Sequence, residues 1–470
     1  MIGPRRALGL SIALLASACG STPSTGSLET TSTESAGARE APRVEEPPSE
    51  PPAEAAPPAE AAPPAEVEAA PIEAGEGTEL AQLDTQDRAE NPAENPAPAT
   101  PPEDAVLVAI DTHSDTTQRL LDEHTDLASR LPEGHLDLPR MREGGLTAVF
   151  MSIWVDPRRF RGEAAWDRAQ ALVASVRAFV AAHPDEVVLA TTAAEVRAAA
   201  RDHRVAFLMG LEGAHGLGEN EPTVLLDRLG ELAQSGVRYV TITWTNDNVF
   251  GHASTGAHPG RGLTDAGRTL VSRMNELGVM VDVSHVSDRT ALDAIEASRA
   301  PVLASHSGAR AVGDHPRNLP DTILRRIGET HGAVCINYYA QFVDPAYGEA
   351  RRALEREHRA EFEALPPGRS WSTSAARNAL ARRLAPELHP PTLRTLGEHF
   401  AHVSRVAGAD APCLGSDFDG IGELPRGMDD VSDLPALFRE LERRHLEVRA
   451  IAGENVLRVM QSAEAAARHD

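Results

Sequence analysis

The stretch VLVAIDTHSDT is apolar from Val106 to Ile110 and then breaks into Asp111, Thr112, His113, Ser114 and Asp115. In an extended chain, residues two apart point to the same face. His113 and Asp115 therefore leave this segment side by side, one nitrogen donor beside one oxygen donor, which is half of a metal site. The same pattern of an apolar run ending in a ligand-type residue recurs. Glu212 ends the run in MGLEGAHG, His285 follows VDVS, His306 lies in LASHSGAR, and Asp417 and Asp419 lie in LGSDFDG. One buried histidine is more often a hydrogen-bonded core residue than a ligand. Three histidines and several acids at the ends of five separate runs make a set that core packing does not require.

Imidazole and carboxylate together suit zinc and related divalent ions. His113, Asp115, Glu212, His285 and His306 are too many for one tetrahedral ion with an open position. They are the right number for two Zn2+ per chain that share one carboxylate. The chain has no lysine, all 45 of its basic residues being arginine. That excludes a carbamylated lysine bridge, a Schiff-base lysine and a phosphate-loop lysine. An acid must bridge, and Glu212 is the strand-end acid placed to do it.

Positioning such a set needs many strand ends gathered at one place. Eight runs rich in Val, Ile and Leu read as strands: 105–110, 146–153, 205–211, 238–243, 278–283, 301–305, 332–337 and 412–416. Helical patterns fall between them, among them 164–182, 223–234, 264–277 and 434–444. The strands are almost continuously apolar rather than alternating, which suits a parallel sheet covered on both faces. Eight such units predict a (β/α)8 barrel, whose reactive groups collect at the C-terminal strand ends. A doubly wound open sheet is the alternative. Residues 344–385 are the main insertion, open to reading as a lid, a homodimer contact or a solvated excursion.

The first hundred residues have a different character. Residues 1–18 carry Arg5 and Arg6, a short apolar run and then small residues, the pattern of an export signal too short to span a bilayer. It ends LASAC, which resembles a bacterial lipobox and predicts lipidation of Cys19 and attachment to a membrane of the cell envelope. Residues 19–103 are dominated by Pro, Ala, Glu, Ser and Thr, with the repeat PPAEAAPPAEAAPPAE, and read as a solvated tether. Its portion from Ser21 to Glu103 holds 18 acids and three arginines, hence 15 of the 25 net negative charges. The acidity is thus mostly a tether property, and no basic patch points to nucleic acid. Residues 104–470 are long enough for one large domain. Cys335 and Cys413 lie inside apolar runs and read as two buried thiols rather than a disulfide.

DTHSD, GLEGAHG, VDVSHVS, SHSGAR, HPRNLPD, GSDFDG and ENVLRV occur in this order between about Leu107 and Val459. Together they resemble the membrane (renal) dipeptidase family of zinc peptidases, which have an amidohydrolase-like barrel. The resemblance implies hydrolysis of dipeptides by a hydroxide between two zinc ions. By position, His113, Asp115 and Glu212 would hold one zinc, and Glu212, His285 and His306 the other. Asp417 would orient the hydroxide and carry the proton to the leaving amine, and Arg317 would grip the free carboxylate of the substrate. At the end of the fourth strand, where the family resemblance implies a histidine that meets the substrate, YVTITWTNDN places Trp244. His252 and His258, in FGHASTGAHPGRG, either replace that histidine or belong to a solvent-facing loop; His215, three residues after Glu212, reads as a loop residue or as one that supports a ligand from behind. Because of Trp244, a barrel amidase or lactonase acting on a non-peptide substrate stays open. A non-catalytic envelope lipoprotein is the reading from a different class.

Overall fold

The computed structural model describes residues 106–365 and 371–467. The export signal, Cys19 and the tether lie outside the described residues. Nine strands form one sheet: β1 Ile110–Ser114, β2 Ala148–Trp154, β3 Val187–Leu189, β4 Val205–Glu212, β5 Val237–Thr241, β6 Met280–Asp282, β7 Leu303–Ser307, β8 Ala333–Ile336 and β9 Pro412–Leu414. Their order is β2-β1-β9-β8-β7-β6-β5-β4-β3, and a further β2–β4 pairing closes the ring. All pairings are parallel. Eight strands therefore make a closed parallel barrel wrapped by helices, the (β/α)8 architecture, and the open-sheet alternative is excluded. The short β3 was not expected; it pairs with Val205–Phe207 at the start of β4, below the stretch used by β5.

The apolar character of the runs follows from burial on two sides. Every residue of β2 and β4 is buried. Alternate residues divide between two cores. Val149, Met151, Phe207 and Met209 pack in the larger core with helices such as Glu163–Ala182. Ile110, Phe150, Leu208, Tyr239 and Cys335 belong to the second core, which the C-terminal helix Asn455–Ala467 joins through Val456, Leu457 and Met460. Asn455 ties that helix to the start of β9 by donating to the Pro412 carbonyl at 2.9 Å.

Several expectations need correction. The first strand lies later than its apolar run suggests, at Ile110–Ser114 rather than 105–110, so His113 sits inside the strand. Burial of Asp111, Thr112 and His113 is made possible by bonds to the neighbouring strand, Ser416 and Leu414 among the partners. Cys335 and Cys413 are not free thiols but a disulfide. They stand directly opposite each other on β8 and β9, and this register, invisible in the sequence, brings the sulfurs together. The insertion is not a solvated excursion. Its helices Pro345–Glu357, Arg359–Glu363 and Trp371–Leu384 form a small core of Leu354, Phe362 and Leu380. Arg351 and Tyr347 both bind Glu423 in the loop after β9, and Asn378 donates to the Gly422 carbonyl.

Candidate metal centre and substrate pocket

The strand ends converge on Glu212. One of its oxygens, Oε2, is 3.6 Å from His113 Nε2. The other, Oε1, is 2.9 Å from His285 Nε2 and 3.4 Å from His306 Nε2. The two carboxylate oxygens thus address different histidines. His285 Nε2 and His306 Nε2 are 2.9 Å apart, two ring nitrogens converging on one point. On the other side, His113, Asp115 and Asp417 offer atoms within 4.8 Å of one another. His113 Nε2 and Asp115 Oδ1 are buried without a hydrogen-bond partner. Donors held this close, buried and unsatisfied, fit divalent cations. All five expected ligands are therefore gathered in one place. Asp419 is not among them: its oxygens accept from the His135 backbone N–H at 2.8 Å and from Thr116 at 2.6 Å.

Electrostatics reflect the crowding. Burial alone would lower His113, but the carboxylates of Glu212, Asp417 and Asp115 together outweigh it and push the imidazole up to about 10. Burial, then the charge of Glu212, raises Asp115 to about 8. Burial raises Asp417 to about 6, against the pull of His113. Glu212 goes the other way: burial opposes ionisation, yet His113 and the hydrogen bonds of three histidines hold it well below the usual carboxylate range. Burial and the Arg317 charge press His285 down to about 3.

The ligands are held by a second layer. Tyr239 Oη lies 2.7 Å from His113 Nδ1. Its ring fits because residue 210 is glycine; a Cβ there would come within 2.0 Å of the phenol. Ser305 Oγ bonds His306 Nδ1 at 2.7 Å and donates to Asp282 at 2.7 Å. Asp282 also accepts from Thr241, Ser284 and the Ser305 backbone, all at β6 and its neighbours. Asp417 Oδ2 accepts from Asn337 at 2.9 Å. His285 and Asp417 have left-handed backbones, φ 68° and 64°. Such conformations are uncommon outside glycine and concentrate where structure fixes a working side chain.

Above the donors opens a cavity of about 600 Å3 lined by Asp115, Glu212, His285, Arg317, Asp417, Trp154 and Trp244 among others. Arg317 is buried; its Nη2 donates to the His306 carbonyl at 3.1 Å, while Nε and Nη1 have no hydrogen-bond partner. Trp244 reaches the cavity wall, its ring edge-on to Trp154 at 5.1 Å and 6.3 Å from His285. His252 and His258 do not line the cavity and pair instead with Asp247. His215 bonds the Val155 carbonyl at 2.8 Å and stands apart from the donor cluster. Sequence reasoning missed Trp154, Asn337 and the insertion residues Arg351, Arg352 and Arg377. Trp154 and Asn337 end or follow β2 and β8, so reading every strand end, not only those with histidine or acid, would have found them.

The model of the membrane dipeptidase family, peptidase family M19, matches residues 105–470. The chain belongs to the membrane dipeptidase family. A Schizosaccharomyces pombe protein described as an uncharacterized dipeptidase is 36% identical over 271 residues, 56% of this chain and 54% of the relative, so the match spans about half of that protein's length. Two crystal structures are also similar. A dipeptidase described as an M19 metallopeptidase is 29% identical with a TM-score of 0.62, over 76% of this chain and 99% of its own. A Rhodobacter sphaeroides metallopeptidase liganded with a phosphinate mimic of the dipeptide L-Ala-D-Ala is 28% identical with a TM-score of 0.61, over the same shares. Membership in this metallopeptidase family and the donor cluster agree on a metal cofactor.

Proposed function

We propose that the chain is a dipeptidase that uses two zinc ions held at the barrel mouth. The observation that carries this reading is the split of Glu212, whose two oxygens face His113 on one side and His285 with His306 on the other. His113, Asp115 and Glu212 would hold one ion, and Glu212, His285 and His306 the other. When bound, such ions supply Lewis acidity and lower the pKa of water to about 7.

The remaining work falls to the chain's own side chains. Tyr239 and the Ser305–Asp282 pair fix the ring orientations of His113 and His306, as outer partners of ligating histidines do. Asp417 is anchored at Oδ2 by Asn337, and its Oδ1 lies 3.9 Å from His113 Nε2. It takes a proton from the attacking water and delivers it to the leaving amine. Arg317 presents unpartnered N–H groups at Nε and Nη1, on two edges of a buried guanidinium, either of which can donate a charged hydrogen bond to a substrate carboxylate. Trp154 and Trp244 pack edge to face and wall the cavity on one side. A cavity of about 600 Å3 suits a small ligand. The phosphinate dipeptide mimic in the Rhodobacter relative supports a substrate of this size.

The test is hydrolysis of a dipeptide panel by purified protein, before and after chelation. Activity should disappear on chelation and return with zinc. Chelated protein of unchanged activity, or zinc-loaded protein that cleaves no dipeptide, would overturn the proposal.

We further propose that Cys19 is lipidated and that the barrel works on a tether at a bacterial envelope membrane. The LASAC sequence before Cys19 supports this reading, and among the described residues no helix is long and apolar enough to cross a membrane. Cys19→Ser should move the protein from the membrane fraction to the soluble fraction; an unchanged membrane fraction would remove the anchor.

A further inference from the structure

A second group of donors lies in the loop after β5, off the cavity. Asp247 Oδ2 is 2.9 Å from His258 Nδ1 and 3.3 Å from His252 Nδ1. The three ligand atoms lie within 4.8 Å of one another. Bonds of about 2.0–2.2 Å in a tetrahedral zinc site put neighbouring donor atoms about 3.3–3.5 Å apart; the Asp247–His252 contact matches such an edge and the Asp247–His258 contact is somewhat shorter. Both rings turn the same nitrogen, Nδ1, toward one carboxylate oxygen. A simple hydrogen-bonded pair explains one of these contacts. It does not explain the other, because His252 Nδ1 is buried and makes no hydrogen bond of acceptable geometry.

The backbone around the group is already fixed. Asp247 Oδ1 accepts from the Ala253 backbone at 2.9 Å, while Oδ2, which faces the rings, also accepts from the His258 backbone at 3.1 Å. The His252 carbonyl accepts from the Ser287 backbone at 2.8 Å, and Ser254 donates to the His285 carbonyl at 2.8 Å. The loop is thereby stitched to the segment that carries a ligand of the main centre. His258 is half exposed, which leaves a path for an ion and room for water at the open position.

We propose that Asp247, His252 and His258 form a third, zinc-type cation site, separate from the main centre. Two histidines and one carboxylate give a donor set that suits zinc and related ions. Its effect is to clamp the loop that carries Thr245 and Thr255 to the cavity wall. It is a structural site, and it stands whether or not the main centre hydrolyses dipeptides.

Equilibrium dialysis of the metal-stripped full chain against excess zinc tests it. Wild-type protein should bind one more equivalent than His258→Ala. Glu212→Gln, which disables the main centre, should keep that extra equivalent and lose it when combined with His258→Ala. His331→Ala, at an exposed histidine facing Asp410, serves as the control and should bind as wild type. Thermal melting without zinc should be unchanged by His258→Ala, while the zinc-induced rise in Tm of the Glu212→Gln protein should disappear. Equal zinc content in wild type and His258→Ala, or a Glu212→Gln protein that binds no zinc, would overturn the site.

Discussion

Removal of the Arg317 guanidinium gives the sharpest test of how substrate is held. Arg317 is buried, its cation lies 5.6 Å from the Phe342 ring centre, and burial lowers it to about 10. Nε and Nη1 have no hydrogen-bond partner. A buried charge with idle donors is costly unless a ligand completes it. A charged hydrogen bond contributes about 1.5–3 kcal/mol, which is about 10- to 150-fold in rate at 1.36 kcal/mol per tenfold. One such bond to the substrate carboxylate is lost in Arg317→Met, which should lower kcat/KM for a dipeptide by about 10- to 150-fold. The assay must separate this role from damage to the centre, because Arg317 also donates to the His306 carbonyl and its charge bears on His285. Each enzyme is therefore assayed on a dipeptide and on its C-terminal amide, with zinc content measured in parallel. Wild type should prefer the acid strongly, and the variant should cleave acid and amide at similar rates. A variant that loses both activities in equal proportion, or a wild type indifferent to the amide, would refute the contact.

Other perturbations follow from the same geometry. Glu212→Gln should lose both zinc equivalents of the main centre, since a neutral amide cannot bridge two dications; elemental analysis showing the same content as wild type refutes the bridge. Trp244→His should change the rate ratios across Gly, Ala, Leu and Phe dipeptides, because the indole narrows the cavity beside Trp154; unmoved ratios would mean that Trp244 only packs. His399 is buried as a neutral ring, Nδ1 accepting from the Ala309 backbone and Nε2 donating to the Val343 carbonyl. Burial lowers it from 6.5 to about 4, so the unfolded chain takes up the proton first and stability falls as pH drops through that window. The loss approaches about 3 kcal/mol, and in urea melts of metal-free protein His399→Leu should show less acid sensitivity; an identical pH dependence refutes this.

The barrel was legible because its strands are buried on both faces and so announce themselves as apolar runs, as in β2 and β4. The donor set was legible because polar residues at the ends of such runs have no packing reason to be there. What the sequence hid depends on register and on distant contacts. The opposition of Cys335 and Cys413 is fixed by the pairing of β8 with β9. The true start of β1 depends on Asp111 meeting Ser416 across the closed ring. For the insertion, the sequence left a lid, a homodimer contact and a solvated excursion open. Its arginines are instead matched to partners far along the chain, as Arg351 is to Glu423. Asp419 ends the same run as Asp417 yet bonds the His135 backbone and Thr116 instead, a difference between two left-handed neighbours that the sequence does not carry.

The same crowding that marks the centre ties its metal loading to protons. Without cations, burial and Glu212 raise Asp115 to about 8, and the carboxylates of Glu212, Asp417 and Asp115 together draw His113 up to about 10 against burial. At neutral pH both groups therefore favour holding a proton. Those protons occupy the donor atoms that an ion needs, so metal and proton compete for one set of lone pairs. Binding of zinc must release them, and affinity should fall as the medium is acidified. The ligands that bear this competition, His113 and Asp115, lie at the C-terminal end of β1, a strand of the closed barrel. Metal that binds only the folded chain also stabilises it by mass action. Loading of the centre and stability of the barrel are thus one equilibrium, read out at the strand ends.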